Sequence, residues 1–342
     1  MLQVGLIGFG LAGQSFHAPI IRTTPGLELA CIVERSGSNA AKLYPSVKMV
    51  RTIDELLSDE QIRLCIVATP HITHFEIAQR CLTAGRDVVV DKPFTVTSAE
   101  ARELISVAAR QKRLLSVYQN RRFDGDFQTV KKIVESGALG QVVEYEARYD
   151  RYRPDPKLTW RDHEGPGSGV IFDLGPHLID QALTLFGTPL AVNATLLRQR
   201  EFAPVNDGFD ICFEYPRLRA LLRARMLACA PGPHFLVHGT QGSFSKYGMD
   251  PQEEPLRRGE LPGGPHWGED PESLWGTLTV AGQAPQKVRT EIGDYRRYYA
   301  NVRDAILGKA ELEVTAEHGY RTARAIELAQ QSHSERRWVP WT

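Results

Sequence analysis

Short apolar runs alternate with stretches of helical periodicity along the first third of the chain. Five runs have the length and the Val, Ile and Leu content of buried strands, at residues 3–7, 27–33, 64–68, 87–90 and 114–118. Between them, a Thr followed three positions later by a Glu marks helix starts at Thr52, Thr73 and Thr97. Strands that alternate with helices favour a parallel sheet covered on both faces. The pattern predicts an α/β N-terminal domain, residues 1–120, with a doubly wound parallel sheet.

After residue 120 the pattern becomes richer in strands. Residues 142–152 alternate apolar and polar side chains as a half-buried strand does, and further strands are predicted near 190–199, 208–215, 219–229, 234–246 and 273–281. The Gly- and Pro-rich stretch 249–271 is predicted to be a long loop. We expect residues 121–342 to form an α+β domain with a large open, mostly antiparallel sheet, whose last helices could pack back on the first domain.

The composition narrows the class of protein. The 342 residues carry 41 basic and 41 acidic side chains, so the chain has no excess of positive charge that would indicate binding to nucleic acid or to an anionic membrane. No apolar run approaches the roughly 18 residues of a membrane span, and the first residues enter a strand-like run without a cleavable signal. The five cysteines favour buried free thiols in a reducing compartment over disulfides or zinc. We therefore expect a cytoplasmic protein without a metal site.

A glycine-rich turn follows the first predicted strand, with the sequence Gly8-Phe9-Gly10-Leu11-Ala12-Gly13. Its glycines allow a tight turn and close approach of the backbone to a pyrophosphate. The helix that follows offers free N–H groups and the positive end of its dipole. Because the motif lies between a strand and a helix, a nucleotide role is favoured over a structural turn.

Three residues at the end of the second predicted strand bear on the choice of cofactor. Glu34 follows Gly13 by about twenty positions, where an acid binds the ribose hydroxyls of NAD. Arg35 and Ser36 come next and could hold the 2′-phosphate of NADP, although a solvated arginine is an equally good interpretation. These residues leave the choice between NAD and NADP open.

Asp91-Lys92-Pro93 follows the predicted strand 87–90, at the carboxyl edge where doubly wound sheets bind ligands. An ammonium group there could hold a hydroxyl oxygen while hydride leaves the same carbon. The alternative is an ordinary surface lysine before a proline that ends a strand.

Other residues are expected at the same edge. Thr69-Pro70-His71 follows the strand 64–68 and is predicted to shape the floor beside the nicotinamide ribose. His74 could face the cofactor, or could be a capping or surface histidine. Asn120 follows the strand 114–118 and is a further candidate contact of the cofactor.

A glycine-rich run at 165–169 precedes an apolar helical pattern that reaches Phe186. Asp173 and His177 are four positions apart in it, so on one helix their side chains would share a face. A carboxylate there can orient an imidazole and stabilise its protonated form, as a histidine general base requires. A single buried histidine is the alternative, and Pro176 argues against an undistorted helix.

Arg153, Trp160 and Arg161 lie between the strand 142–152 and this helical pattern. Aromatic rings can cover the C–H surfaces of a polyhydroxylated ligand, and guanidinium groups can donate to its hydroxyls. A solvated loop has the same composition.

Three ordered motifs, Gly8-x-Gly10-x-x-Gly13, Asp91-Lys92-Pro93 and Asp173-x-x-x-His177, resemble those of the glucose–fructose oxidoreductase / inositol dehydrogenase / rhizopine-catabolism (Gfo/Idh/MocA) family. The resemblance covers essentially the whole chain. It implies a Rossmann domain that binds NAD or NADP, and a larger mixed sheet that carries the substrate site and often mediates oligomers. The family lysine corresponds to Lys92, and its Asp and His to Asp173 and His177. Position 91, commonly Glu in the family, is Asp here.

Within the family the chain looks most like the NADP-dependent scyllo-inositol dehydrogenases, on segments 120–122, 150–154, 173–177 and 246–253. The resemblance implies a dehydrogenase acting on a secondary alcohol of a polyol or sugar. His177 would accept the hydroxyl proton, Asp173 would orient His177, and Lys92 would stabilise the alkoxide. A redox-cycling NAD-dependent glycoside hydrolase and a non-catalytic NAD(P)-sensing protein remain alternatives. A homo-oligomer, dimer or tetramer, is expected through the C-terminal sheet.

Overall fold

The computed structural model of the protein describes residues 1–156 and 163–342, which divide into two units. The first unit comprises Met1–Phe123, Gln252–Trp267 and Asp294–Ala323. The second unit comprises Asp124–Pro251, Gly268–Gly293 and Arg324–Thr342. Trp160 and Arg161, two of the predicted substrate contacts, lie outside the described residues.

Six parallel strands form the sheet of the first unit: β1 (Leu2–Ile7), β2 (Leu27–Val33), β3 (Lys48–Val50), β4 (Ile62–Val67), β5 (Asp87–Val90) and β6 (Leu115–Val117). Their spatial order is β3-β2-β1-β4-β5-β6, the order of a doubly wound dinucleotide-binding sheet. The predicted α/β class is confirmed. The prediction missed β3, a strand of 3 residues in which only Val50 is buried, because it is too short and too exposed to show an apolar run.

Helices alternate with these strands: a π-helical turn (Ala12–His17) continued by α1 (Ala18–Thr23), then α2 (Asn39–Leu43), α3 (Ile53–Leu57), α4 (His74–Thr83) and α5 (Ser98–Gln111). Short 3-10 turns occupy His71–Thr73 and Asn120–Phe123. The predicted caps are present at α3 and α5, where the side chains of Thr52 and Thr97 accept backbone N–H bonds. At Thr73 the predicted helix start is confirmed, since α4 begins at the next residue, but the Thr73 side chain makes no cap bond and its hydroxyl donates to the Pro70 carbonyl oxygen at 2.7 Å.

Nine strands of the described residues form the sheet of the second unit: β7 (Val142–Asp150), β8 (Ala191–Leu197), β9 (Gly208–Glu214), β10 (Arg219–Arg225), β11 (Phe235–Gly239), β12 (Gly242–Lys246), β13 (Gly276–Val280), β14 (Gln286–Val288) and β15 (Val339–Pro340). Their order is β14-β13-β12-β11-β7-β10-β9-β8-β15. Among the described strands of this sheet, β7 and β10 pair in parallel and the other neighbours are antiparallel. The predicted open, mostly antiparallel sheet is confirmed.

The helices that come before and between the first strands of this sheet, within 1–156 and 163–342, are α6 (Gly125–Glu135), α7 (Val170–Asp173) and α8 (Gly175–Phe186). The prediction of one helix through 170–186 is wrong, since the helix ends at Asp173 and a new one starts after Leu174. Pro176 lies in the first turn of α8, where the missing N–H removes no helical hydrogen bond. Asp173 and His177 therefore do not share the face of one continuous helix.

The remaining helices are α9 (Glu253–Arg257), α10 (Arg296–Ile306) and α11 (Ala316–Glu335), with a 3-10 turn at Glu272–Leu274. The stretch 249–271 was predicted to be a loop throughout, and α9 corrects that prediction. Helices α9 and α10 belong to the first unit, and α11 is divided between the two units after Ala323.

The five cysteines are free thiols. Cys31, Cys65 and Cys81 are buried and Cys212 is half-buried, but Cys229 is exposed, which makes the expectation of burial wrong for that residue. Within the described part of the chain, no helix combines the length and the apolar character needed to cross a membrane.

Candidate active site

The glycine turn connects β1 to the π-helical turn. Gly8 has a φ of +99°, and a Cβ on it would lie 2.6 Å from the carbonyl oxygen of Ala68. A Cβ on Gly13 would lie 2.2 Å from the carbonyl oxygen of Gly8. At Gly10, by contrast, a Cβ would meet no atom of the described residues within 4 Å. The turn thus needs Gly8 and Gly13 for its own packing and leaves open space at Gly10, as the approach of a pyrophosphate requires.

The two apolar side chains of the turn lie in different surroundings. Phe9 is buried edge-on against Tyr44, with ring centroids 5.8 Å apart. Leu11 is exposed. Phe9 therefore anchors the turn to the chain after β2, while Leu11 borders its open side.

Glu34 lies at the end of β2, beside the glycine turn. The amide of Gly8 donates to the Val33 carbonyl oxygen at 3.1 Å, which joins β1 and β2 at this point. The Glu34 carboxylate is buried and accepts hydrogen bonds from the amides of Asn39 at 3.1 Å and Ala40 at 3.2 Å, in the first turn of α2. Arg35 and Ser36, the next two residues, are exposed.

Asp91 and Lys92 follow β5 directly, and both are half-buried. The Asp91 carboxylate lies 3.6 Å from Nε2 of His17, whose Nδ1 lies 2.6 Å from the hydroxyl of Tyr299. Burial acts to raise the pKa of Asp91, but His17 and the Lys92 ammonium outweigh burial and lower it. An ionised carboxylate therefore accompanies the lysine. The Lys92–Pro93 peptide bond is cis.

The loop after β4 carries the residues predicted to shape the floor of the cofactor site. The hydroxyls of Thr69 and Thr73 are 2.8 Å apart, Pro70 is exposed and His71 is buried. These residues lie at the carboxyl edge of the sheet, next to Gly8, whose close neighbours are Ala68 and Thr69.

His74 is buried, and neither surface exposure nor a capping role describes it. Its ring nitrogens lie 2.8 Å from the carbonyl oxygen of Pro93 and 2.9 Å from that of Thr69. Burial lowers the pKa of its imidazole. His74 thus links the loop after β4 to the loop that carries Lys92.

Asn120 is buried in the 3-10 turn after β6. The preceding residue, Gln119, is also buried, and neither atom of its amide has a hydrogen-bond partner among the described residues. Buried amides normally find partners, so this one is a candidate ligand contact. No local pattern marks Gln119, His17 or Tyr299, because the order of the strands and the packing of the helix 296–306 bring such residues to this edge.

In the second unit, Asp173 ends α7 and is half-buried, while His177 lies in the first turn of α8 and is buried. The His177 ring meets the ring of Tyr149 on β7 edge-on, with centroids 6.3 Å apart. The start of α7 is held by Asn206, whose side-chain oxygen accepts from the Ile171 amide at 3.1 Å. The arrangement places a partly accessible carboxylate four positions before a buried imidazole.

Arg153 is exposed, and its backbone amide donates to the Met226 carbonyl oxygen at 2.7 Å. Its side chain is therefore available to a ligand or to solvent. The described residues contain no group of three or more His, Cys, Asp or Glu side chains that could hold a metal ion.

The second unit also buries charged side chains that sequence analysis did not single out. Lys246 and Asp270 form an ion pair at 2.8 Å, both fully buried. Asp126 lies 3.6 Å from His234, and Asp250 accepts the Gly125 amide at 2.7 Å. Burial, assisted by the charge of Asp250, raises the pKa of Asp126 to about 7.

A doubly wound sheet with a glycine turn after its first strand defines a dinucleotide-binding protein. The profile of the oxidoreductase family, NAD-binding Rossmann fold, matches residues 2–119, and that of the oxidoreductase family, C-terminal alpha/beta domain, matches residues 131–341. The chain therefore belongs to the Gfo/Idh/MocA oxidoreductase family, and the resemblance found in its motifs is confirmed.

Similar proteins span its whole length. The oxidoreductase YdgJ of Escherichia coli is 43% identical over 338 residues, 98% of this chain and 97% of that protein. The scyllo-inositol 2-dehydrogenase (NADP⁺) IolW of Bacillus subtilis is 38% identical over 341 residues, 99% of this chain and 95% of that protein. The solved structure of the Bacillus subtilis oxidoreductase yvaA superposes with a TM-score of 0.96 at 38% identity, covering 100% of this chain and 98% of that one.

Proposed function

We propose that the protein is a NAD(P)-dependent dehydrogenase that transfers hydride between a secondary alcohol of a polyol or sugar and the nicotinamide. The observation that carries the proposal is Lys92, half-buried beside an ionised Asp91 at the sheet edge where the glycine turn is open. Similarity to a scyllo-inositol dehydrogenase over the full chain supports an inositol-like substrate and favours NADP.

The turn and the edge residues fit a dinucleotide. Gly8, Gly10 and Gly13 would admit the pyrophosphate, and the backbone of Phe9 and Leu11 would line it. Thr69, Pro70, His71 and Asn120 are proposed to contact the nicotinamide end. His74 joins the loop that carries the first three of them to the loop that carries Lys92. When bound, the nicotinamide accepts or donates the hydride.

Lys92 is proposed to donate to the substrate hydroxyl and to stabilise the negative charge that develops on its oxygen. Preorganised donors of this kind contribute about 3–4 kcal/mol. The ionised carboxylate of Asp91 is adjacent to Lys92 in the chain. We assign to His177 the acceptance of the hydroxyl proton and to Asp173 the orientation of His177, in line with the family motif. Arg153 is proposed as a further substrate contact.

A panel of inositols, sugars and aldoses, each assayed with NAD⁺ and with NADP⁺, tests the function. Stoichiometric cofactor reduction by a free polyol is the expected result. Hydrolysis of a glycoside without net reduction would instead identify a redox-cycling hydrolase. Tight cofactor binding with no reaction across the panel would identify a sensor.

A further inference from the structure

We propose that His17 and Tyr299 are positioning residues of the reaction, which act through the carboxylate that precedes Lys92. The Tyr299 hydroxyl fixes the tautomer of His17, so that Nε2–H of His17 faces Asp91. The carboxylate held in this way attracts the Lys92 ammonium and directs it to the substrate hydroxyl. The inference rests on the proposed function, because it concerns the donor of the same site. Neither His17 nor Tyr299 lies in the three motifs of the chain.

The imidazole of His17 is packed in one place. His17 is fully buried and ends the π-helical turn Ala12–His17. The ring of Tyr118 lies against it, with centroids 4.4 Å apart and planes tilted by 42°. The Tyr118 hydroxyl donates to the Phe16 carbonyl oxygen at 2.9 Å, so Tyr118 is itself held to the turn. π-Helical turns are rare and often occur at functional sites, and this one places an imidazole beside Asp91.

The hydrogen bond with Tyr299 determines which nitrogen of His17 carries a hydrogen. Nδ1 of His17 lies 2.6 Å from the Tyr299 hydroxyl, which has no other hydrogen-bond partner among the described residues. Burial raises the pKa of Tyr299 well above its usual value, so the phenol keeps its proton and donates a hydrogen bond to Nδ1. A neutral imidazole then carries its hydrogen on Nε2, and a protonated imidazole carries one there too. In both states Nε2–H is directed at Asp91.

Nε2 of His17 lies 3.6 Å from the Asp91 carboxylate, and within 1–156 and 163–342 it has no hydrogen-bond partner. A fully buried donor normally has a partner, and the carboxylate is the acceptor that this one faces. The amide of Asp91 donates to the Val67 carbonyl oxygen at 2.8 Å, which fixes the backbone of Asp91 to β4. The side chain of Asp91 is therefore the part that can close the remaining distance.

The charge of Asp91 depends on His17. Burial acts to raise the pKa of Asp91, but His17, followed by Lys92 and His74, outweighs burial and lowers it. In the described part of the chain, the titratable side chains that interact electrostatically with Asp91 are His17, His74, Lys92, Tyr298 and Tyr299. Without His17, burial would favour the protonated carboxyl, and Lys92 would lose the negative charge that attracts it. A displaced catalytic group can cost about 100-fold in rate.

Carboxyl ¹³C NMR of the full chain, labelled at aspartate Cγ, tests the relation without requiring turnover. Asp91→Asn assigns the signal by removing it, and the midpoint of its titration in wild type is expected below the usual value of about 4. His17→Gln should raise the midpoint by about 1–3 pH units, because burial is then less opposed. Tyr299→Phe should raise it less, because the imidazole stays. His238→Gln is the matched control, since Nδ1 of His238 also lies 2.7 Å from a hydroxyl, that of Ser243, and it should change nothing.

The pH dependence of kcat/KM then tests the role in the reaction. Relative to wild type, His17→Gln should be about 10-fold slower at pH 5 and nearly equal at pH 9, where Asp91 is ionised in both proteins. A role in packing alone would lower kcat/KM by the same factor at every pH. Asp91→Asn should be slower by about 10- to 100-fold across the range, and adding His17→Gln to it should change nothing further.

Tyr299→Phe retains the aromatic ring, so it carries both measurements if the His17 variant does not fold. An Asp91 midpoint unchanged in the His17 and Tyr299 variants would overturn the inference, and so would a loss of kcat/KM that is equal at every pH. A raised midpoint in a protein that oxidises no member of the polyol and sugar panel would refute the proposed function, while the control of the Asp91 charge by His17 would stand.

Discussion

Lys92 follows β5 directly, and its immediate neighbour in the chain is a carboxylate held ionised. We expect Lys92→Ala to lower kcat by about 100- to 1,000-fold, because a preorganised donor to the developing charge is lost. The dissociation constant for the reduced cofactor should change little. Steady-state kinetics with a fluorescence titration of the cofactor measure the two effects separately.

Lys131→Ala is the matched control, because this half-buried lysine of α6 pairs with Glu135 one helical turn away. Its kinetics should equal those of wild type. If the Lys92 variant lost cofactor affinity in the same proportion as turnover, Lys92 would be a binding residue and its assigned role would be wrong.

Asp126 is the residue whose protonation should be visible in the pH dependence of stability. Its pKa is raised to about 7, mainly by burial, whereas an unfolded Asp titrates near 4. Its contribution to folding is therefore complete below about pH 4 and is lost as the pH rises through about 7. From about pH 5 to about pH 8, wild type should lose about 1–3 kcal/mol of unfolding free energy relative to Asp126→Asn.

Denaturant unfolding at the two pH values measures that difference. Asparagine keeps an oxygen that can accept the Phe127 amide, which Asp126 now accepts at 2.6 Å, so this bond is retained while the ionisation is removed. If the free energies of unfolding of wild type and variant changed with pH in parallel, Asp126 would titrate in its ordinary range.

At the scale of elements, the strands of the first unit were predictable where they are buried on both faces. Residues 27–33 and 87–90 were predicted with their observed bounds, since each is apolar apart from one acidic residue, Glu28 in the first and Asp87 in the second. The break at Leu174 was not predictable from periodicity, because α7 and α8 are both apolar and the pattern continues through the break. Pro176 was the local signal.

The residues of the candidate site fall into the same two groups, those that a local motif predicts and those that only the fold brings together. The glycine turn and Lys92 are contiguous motifs, so their sequence reveals them. His17 reaches its partners through the order of β1, β4 and β5 and through α10, which no local pattern encodes. The hydrogen bonds from the amides of α2 to the Glu34 carboxylate depend on the conformation of the loop between them, so the local sequence did not predict them either.

Helix α9 is tied to the turn after β6 by Glu253, which pairs with Arg121 and, within the helix, with Arg257. Burial acts to raise the pKa of Glu253, but the two guanidinium charges prevail and lower it to about 2. The stabilisation is therefore present above an unfolded pKa of about 4 and is lost as the pH falls through about 2. Glu253→Gln should lower the free energy of unfolding by about 3 kcal/mol at neutral pH. In this variant the free energy of unfolding should also fall less steeply as the pH is lowered toward 2.

Glu254→Gln is the matched control, since the neighbouring carboxylate is exposed and lies 4.0 Å from Arg258. It should change the unfolding free energy by less than about 0.5 kcal/mol. Urea unfolding across the acid range measures both variants. If they lost equal free energy of unfolding, the ion pair of Glu253 with Arg121 would stabilise the fold no more than an exposed pair does.

At the scale of the whole molecule, the central strands of the second sheet present one buried and one open face. On β10, Ala220, Leu222 and Ala224 are buried, while the alternate residues Leu221 and Arg223 are half-buried. Arg223 pairs with Glu146 on β7 at 3.0 Å and with Asp210 on β9 at 3.4 Å. Arginine is enriched in protein–protein interfaces, and Arg223 shares this face with the half-buried Leu221.

We therefore propose that two or more copies associate through this open face, as the family resemblance implies. Light scattering after size exclusion should give a dimer or tetramer for wild type. Arg223→Glu places like charges beside Glu146 and Asp210, so it should shift the species toward monomer, and the matched reversal Arg110→Glu on α5 should not. A monomeric wild type would refute the association. An oligomer that survives the Arg223 reversal, with the fold intact by circular dichroism, would place the interface elsewhere on the chain.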